Sequence, residues 1–156
     1  MPKVSIKRTV NGTLEEVWNA WDDFAAIDKF NPNLNKSFLI NESKATGLGA
    51  ERQCDLSDGK NYIRERVIEY VPHQKIKVDI FDGTMPLKRA LALIQMRKVG
   101  PNVTEVEFEM EFEPKMGLLG KLMVPLMKPQ FRKLLGKLLD GNKAFVEHGT
   151  TITRAA

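Results

Sequence analysis

Cysteine is almost missing from this chain. Cys54 stands alone among 156 residues, which excludes an internal disulfide and suits a reducing compartment. Histidine is nearly as scarce. His73 follows Pro72 in an expected turn, and His148 falls near a helix end, where a cation suits the dipole. With one cysteine and two distant histidines there is no metal-ligand spacing, so neither a metal nor a Ser/His/Asp or Cys/His catalytic group is expected. No run approaches the ~18 consecutive apolar residues of a membrane span. The opening MPKVSIKRTV has no apolar core of the kind a secretory signal needs, and the expected setting is the cytoplasm. GLGA lacks the strand-to-helix context of a phosphate loop, so it reads as a turn and no cofactor is expected. Basic residues are not interleaved with aromatic stacking platforms, which argues against nucleic acid as a partner.

No repeat, linker or low-complexity tract breaks the chain, and residues 1–156 read as a single domain. The length suffices for a hydrophobic core without covalent staples. A composition of 42% hydrophobic and 28% charged residues places it with globular rather than disordered proteins.

The clearest pattern is VTEVEFEMEFEP, residues 103–114. Val106, Phe108, Met110 and Phe112 alternate with Glu105, Glu107, Glu109, Glu111 and Glu113. Side chains on a strand alternate between faces, so this is a half-buried antiparallel strand. Residues 3–10 form another, with Val4, Ile6, Arg8 and Val10 on one face. Thr13 and Glu16 then make a capping box for a helix whose apolar face carries Leu14, Val17, Trp18 and Trp21. A second short helix is expected from about Phe24 to Phe30, ending before Pro32. From residue 36 onward KSFLIN, ERQCDL, NYIRERVIEYV, KIKVDIF and LKRALALIQMRKV read as strands. They are separated by TGLGA, SDGK, PHQ, DGTMP and GPN turns. Tight turns between sequential strands make an antiparallel meander. The remainder is helical. Pro125 and Pro129 remove backbone donors, so a short helix, a break or kink, and a long helix from about Pro129 to His148 are expected, with Gly149 as its cap.

TLEEVWNAWDDF, GLGAER…LSDGK…RERVIEYVP and GLLGKL…LLDGNKAFVE, in this order and spacing, resemble the START-like helix-grip superfamily. Within it they resemble the polyketide cyclase/dehydrase and lipid-transport (SRPBCC) family. The resemblance implies an α+β helix-grip fold: a seven-stranded antiparallel sheet curled around a long C-terminal helix, with two short helices between the first two strands and a cavity for a hydrophobic small molecule.

Two registers are open for the strand before the glutamate-rich one. In the preferred one Arg89 and Arg97 oppose the glutamates across the GPN turn, each pair worth roughly 0.2–1 kcal/mol, and Ala90, Ala92, Ile94 and Met96 point inward. The alternative buries Arg97 with Leu91, Leu93 and Gln95. Two inward alanines opposite a long helix leave space for other large side chains or for a ligand.

With the implied cavity, candidate ligand contacts come from each inner surface. The first strand offers Ile6 and Arg8; the short helices offer Trp21, Phe24 and Phe30. Val78, Ile80 and Met85 come from the middle strands, and Ala90, Ala92, Ile94 and Met96 from the next. Phe108, Met110 and Phe112 face them, and Met127, Phe131, Leu134, Leu135 and Leu138 come from the helix. Arg8 needs a partner, since a buried unpaired guanidinium is very costly. That partner is a carboxylate at the rim, such as Asp22 or Asp23, or a group on the ligand. The strand phase of Arg52 and Glu65 stays open in the sequence, and the preferred reading is an ion pair on the sheet surface.

Lys115, Lys121, Lys128, Arg132, Lys133, Lys137 and Lys143 are answered by a single acid, Asp140. The run is either a solvated helix face or a surface for an anionic membrane. Three functions stay open. The first is a carrier or sensor of a lipid, quinone or polyketide-like compound. The second is an aromatase/cyclase-type enzyme with Arg8 or Tyr62 as polar guides. The third is a lipid chaperone that touches a membrane or a partner.

Overall fold

The computed structural model describes residues 1–154. Strand β1 (Lys3–Asn11) leads into helix α1 (Leu14–Asp22), followed by a 3₁₀ helix over Phe24–Lys29. The Thr13 hydroxyl accepts the Glu16 N–H at 3.1 Å, satisfying one orphan donor of the first turn. Val17, Trp18 and Trp21 are the buried face of α1.

Six more strands follow: β2 (Leu34–Leu39), β3 (Glu51–Leu56), β4 (Tyr62–Val71), β5 (Lys75–Gly83), β6 (Leu87–Gly100) and β7 (Val103–Pro114). All neighbours are antiparallel, in the order β1-β7-β6-β5-β4-β3-β2. The chain meanders from β2 to β7, and β1 closes the sheet beside β7. Helix α2 (Gly117–His148) lies in the hollow of this curled sheet.

The register between β6 and β7 sets Arg97 opposite Glu105 and Arg89 opposite Glu113. Ala90, Ala92, Ile94 and Met96 are all buried. On the other flank of β7, Lys3 and Lys7 of β1 reach Glu109 and Glu107 at 2.7 and 3.4 Å. The glutamate row thus lies between two basic strands, while Val106, Phe108, Met110 and Phe112 enter the core.

The expected break near Pro125 does not occur: α2 runs unbroken for 32 residues. Both prolines sit on the exposed first half of the helix, one turn apart. The carbonyls they orphan, at Lys121 and Pro125, therefore lie where water can bond them, and the missing donors cost less than they would in a packed interior. Only from Phe131 onward does α2 carry a continuous buried stripe, through Leu135, Leu138, Leu139 and Asn142. Gly149 ends the helix in the left-handed conformation, φ 68°, with its N–H on the Phe145 carbonyl at 2.9 Å.

Candidate ligand site

Between the inner face of β3–β7 and the second half of α2 lies a cavity of about 140 Å³. Its sheet wall includes Val78 and Ile80 of β5, Ala92 and Ile94 of β6, and Phe108 and Met110 of β7. Phe131, Leu134, Leu135 and Leu138 of α2 close the opposite side, and Met85 enters from the β5–β6 turn. Small Ala92 opposite a helix is what leaves the space. A void of this size matches the ~150 Å³ engineered apolar cavity known to hold a benzene ring. A wider depression of about 620 Å³ on the outer sheet face, over Lys7, Gln74, Arg97 and Glu105, is polar and open to solvent.

Other sequence-derived candidates lie off the cavity wall. Phe30 stacks between Trp21 and Phe145, at 5.1 and 5.5 Å between ring centres. Phe112 packs on Phe131 at 4.7 Å. Ala90 and Met96 are buried toward the two ends of β6, and Ile6 and Met127 are half-buried. Arg8 points toward α2, but its carboxylate partner is neither Asp22 nor Asp23. Its Nε donates to Asp140 at 2.7 Å, and its guanidinium crosses the helix at Gly136, where a Cβ would stand 3.4 Å from Nη2. Tyr62 opposes Asp55 across β3 and carries Arg64 over its ring at 5.2 Å, on the outer face.

The sequence reading left out part of the wall: Ile27, Leu34, Leu56, Ile63 and Leu87, the polar Asn31 and Asn33, and a buried trio of Arg52, Cys54 and Glu65. The trio corrects the expected surface ion pair. Arg52 and Glu65 oppose each other across β3 and β4, and their side chains are only 6% and 8% exposed. The signal was available in ERQCDL, where Arg52 shares its strand face with Cys54 and Leu56. Charge suggested the outside; the alternation puts the guanidinium inside.

Burial of two charges is tolerable only when their hydrogen bonds are replaced. Arg52 Nε donates to Glu65 Oε2 at 2.5 Å, and Nη1 donates to the Phe24 carbonyl at 2.6 Å. The Phe24 ring lies 3.8 Å beneath the guanidinium carbon, a cation–π contact strengthened by desolvation. Phe24 thus supports the cavity's polar spot from behind. Burial pulls the Arg52 pKa down, but attraction to Glu65, aided by Cys54, leaves it above its ordinary value, so the guanidinium stays charged. Cys54 Sγ lies 3.7 Å from Glu65. Desolvation and then the nearby carboxylate push its thiol well up, which leaves it un-ionised and a poor nucleophile. Among the described residues, no three His, Cys, Asp or Glu side chains gather as metal ligands.

The fold has many solved counterparts. The XoxI protein of Bacillus cereus superposes with a TM-score of 0.76 at 18% identity, covering 92% of this chain and 94% of that one. A START superfamily protein of Mycobacterium smegmatis gives 0.72 at 17%, covering 90% and 96%. Norcoclaurine synthase of Thalictrum flavum, solved with dopamine and hydroxybenzaldehyde, gives 0.70 at 16%, covering 93% and 86%. These likenesses establish a shared START-type helix-grip architecture. None of the curated proteins matches in sequence. The family model for polyketide cyclase/dehydrase and lipid transport matches residues 1–147, and the chain belongs to that family.

Proposed function

We propose that this protein binds and carries a hydrophobic small molecule between its sheet and α2. The observation that carries the reading is the apolar-walled void left by Ala92 opposite Phe131, Leu135 and Leu138. A pocket of this kind draws its affinity from apolar burial, with a few polar groups fixing orientation. Its volume encloses about one ring. A lipid, quinone or polyketide-like guest would seat one end inside and pass its remainder out beside Leu134, which lines the cavity and is 39% exposed. The lone buried thiol suits a reducing, cytoplasmic setting. Native mass spectrometry of freshly purified protein should show a retained hydrophobic adduct. A bare mass, with no uptake of hydrophobic fluorescent probes, would reject the reading.

A second observation favours peripheral contact with an anionic membrane. Leu118, Leu122 and Leu126 follow one another at four-residue intervals on α2 and are 80%, 75% and 69% exposed. Lys115, Lys121 and Lys128 accompany them, and no acid occurs before Asp140. An exposed apolar ridge set in cationic residues is the pattern of an interfacial helix. The ridge begins beside the β5–β6 turn that carries Met85 to the cavity, since the Lys115 N–H donates to the Pro86 carbonyl at 3.1 Å. Vesicle sedimentation should show binding that needs anionic lipid and weakens with salt; binding to neutral vesicles at any salt would reject electrostatic attachment.

A further inference from the structure

The cavity wall is apolar apart from Asn31, Asn33, Cys54 and the pair Arg52 and Glu65, and the hydrogen bonding of that pair is incomplete. Arg52 carries five N–H donors. Nε meets Glu65 Oε2 and Nη1 meets the Phe24 carbonyl. No acceptor among the described residues engages Nη2, and no donor among them engages Glu65 Oε1. The amides of Asn31 and Asn33, also on the wall, are each engaged at one atom and leave Asn31 Nδ2 and Asn33 Oδ1 without a partner among the described residues. Asn33 Nδ2 donates to the Leu134 carbonyl at 2.8 Å, and Asn31 Oδ1 accepts the Asn33 N–H at 3.0 Å. The buried ion pair therefore offers a guest one donor group and one acceptor oxygen, with no net charge between them.

A hydroxyl group fits that offer, having one proton to give and two lone pairs to receive. A hydrocarbon leaves both protein groups unanswered. A carboxylate can accept from Arg52 but has no proton for Glu65 Oε1 and is repelled by it. The volume adds a limit of about one ring. We propose that Arg52 and Glu65 form the polar end of the ligand site and select a compact neutral alcohol, a phenol or cyclic alcohol or the hydroxylated end of a longer hydrophobe, over hydrocarbons and carboxylates. The hydroxyl accepts from Arg52 Nη2 and donates to Glu65 Oε1, and the ring lies against Ala92, Phe108 and Leu135. This inference rests on the reading of the cavity as a ligand site.

The test compares phenol, toluene and benzoate by calorimetry on the full chain, for the wild type and for the double variant Arg52→Met/Glu65→Leu. Replacing a whole buried ion pair by apolar groups is commonly tolerated, so the variant should fold. Wild type should bind phenol and toluene but not benzoate. In the variant the ratio of phenol to toluene affinity should fall about tenfold, the weight of a hydrogen bond to a charged group. A readout independent of any variant is the NMR signal of the Arg52 guanidinium in the wild type, which should move with phenol and not with toluene. An unchanged affinity ratio, a still guanidinium signal, or benzoate binding equal to phenol would overturn the selection. Failure of both phenol and toluene to bind the wild type would instead overturn the ligand site itself, and the selection with it.

Discussion

Gly141 of α2 lies so close to Phe30 that a Cβ built on it would stand 1.9 Å from the Phe30 carbonyl oxygen. This contact fixes how deeply the helix enters the sheet. It also keeps Phe30 in its stack with Trp21 and Phe145. Because the obstructing atom is backbone, no side chain can turn aside to make room. Gly141→Ala should therefore push α2 outward and destabilise the protein by about 3 kcal/mol, the upper end of overpacking costs. Urea unfolding should show this as a lowered midpoint. Gly136→Ala, whose Cβ would meet only the end of the Arg8 side chain at 3.4 Å, should cost far less.

Ala92 and Ala90 lie on the same inner face of β6, but only Ala92 lines the cavity. Ala92→Leu should fill the void, remove uptake of small apolar guests, and hold or raise stability by about 0.5–2 kcal/mol, as cavity-filling changes commonly do. Ala90 lies outside this void, opposite Phe112 across the strands and beside a separate cleft lined by Phe81, Lys88 and Lys115, so Ala90→Leu should leave uptake of small apolar guests unchanged. Thermal unfolding and probe titration of the two variants separate the cavity wall from the rest of the inner face of β6.

How far the sequence reveals this molecule depends on the strength of its alternation. Val103–Pro114 has glutamate at every second position from Glu105 to Glu113, so its faces are unmistakable, and they carry the register of β6 with them. Thr13 and Gly149 mark helix ends through local chemistry alone. Pro125 and Pro129 mislead because a local rule cannot say whether water will replace the missing donors; exposure of that half of α2 decides it. Arg52 and Glu65 mislead differently. Their strand phase stays open because the phase that fits the apolar alternation puts two charges inside, and what makes that acceptable is the Phe24 carbonyl and ring, which come from 28 residues before Arg52. Arg8 finds Asp140 across 132 residues, a distance no spacing rule spans.

The Arg52–Glu65 pair should be non-additive in stability. Arg52→Met alone strands a buried carboxylate and should cost about 3–5 kcal/mol, whereas the double change Arg52→Met/Glu65→Leu should cost little or stabilise. Denaturant unfolding of the single and double variants measures this coupling. Additive costs would mean that the two charges do not depend on each other for burial.

Glu147 makes the C-terminal end of α2 sensitive to acid. Its carboxyl takes the Lys143 ammonium at 2.6 Å and the Asn11 backbone N–H at 2.9 Å. These two bonds, with Lys143 first, hold its pKa below the ordinary carboxylate value. The unfolded chain therefore binds this proton at higher pH than the folded one does. The stabilisation is complete above the unfolded value, about 4.3, and is lost as pH falls through the lower folded value. Glu147→Gln should lower stability at neutral pH and flatten the acid limb of the stability profile, measurable as unfolding midpoints between about pH 7 and pH 3.

The leucine ridge on α2 should be separable from the fold. Leu118, Leu122 and Leu126 contribute little to the core because most of each side chain is already in water. Replacing all three with serine should change stability by no more than about 0.5 kcal/mol at each site. If the ridge seats the protein on a bilayer, the same triple variant should lose attachment to anionic vesicles while keeping its uptake of toluene. Each adjoining lysine adds roughly 1 kcal/mol of attraction near an anionic surface, so Lys121→Gln/Lys128→Gln should also weaken attachment and make it less sensitive to salt. Apolar contact and charge would then appear as distinct contributions: serine substitution removes binding at every salt concentration, and glutamine substitution removes chiefly the part that low salt strengthens. A triple serine variant that still binds as the wild type does would locate the membrane-facing surface elsewhere.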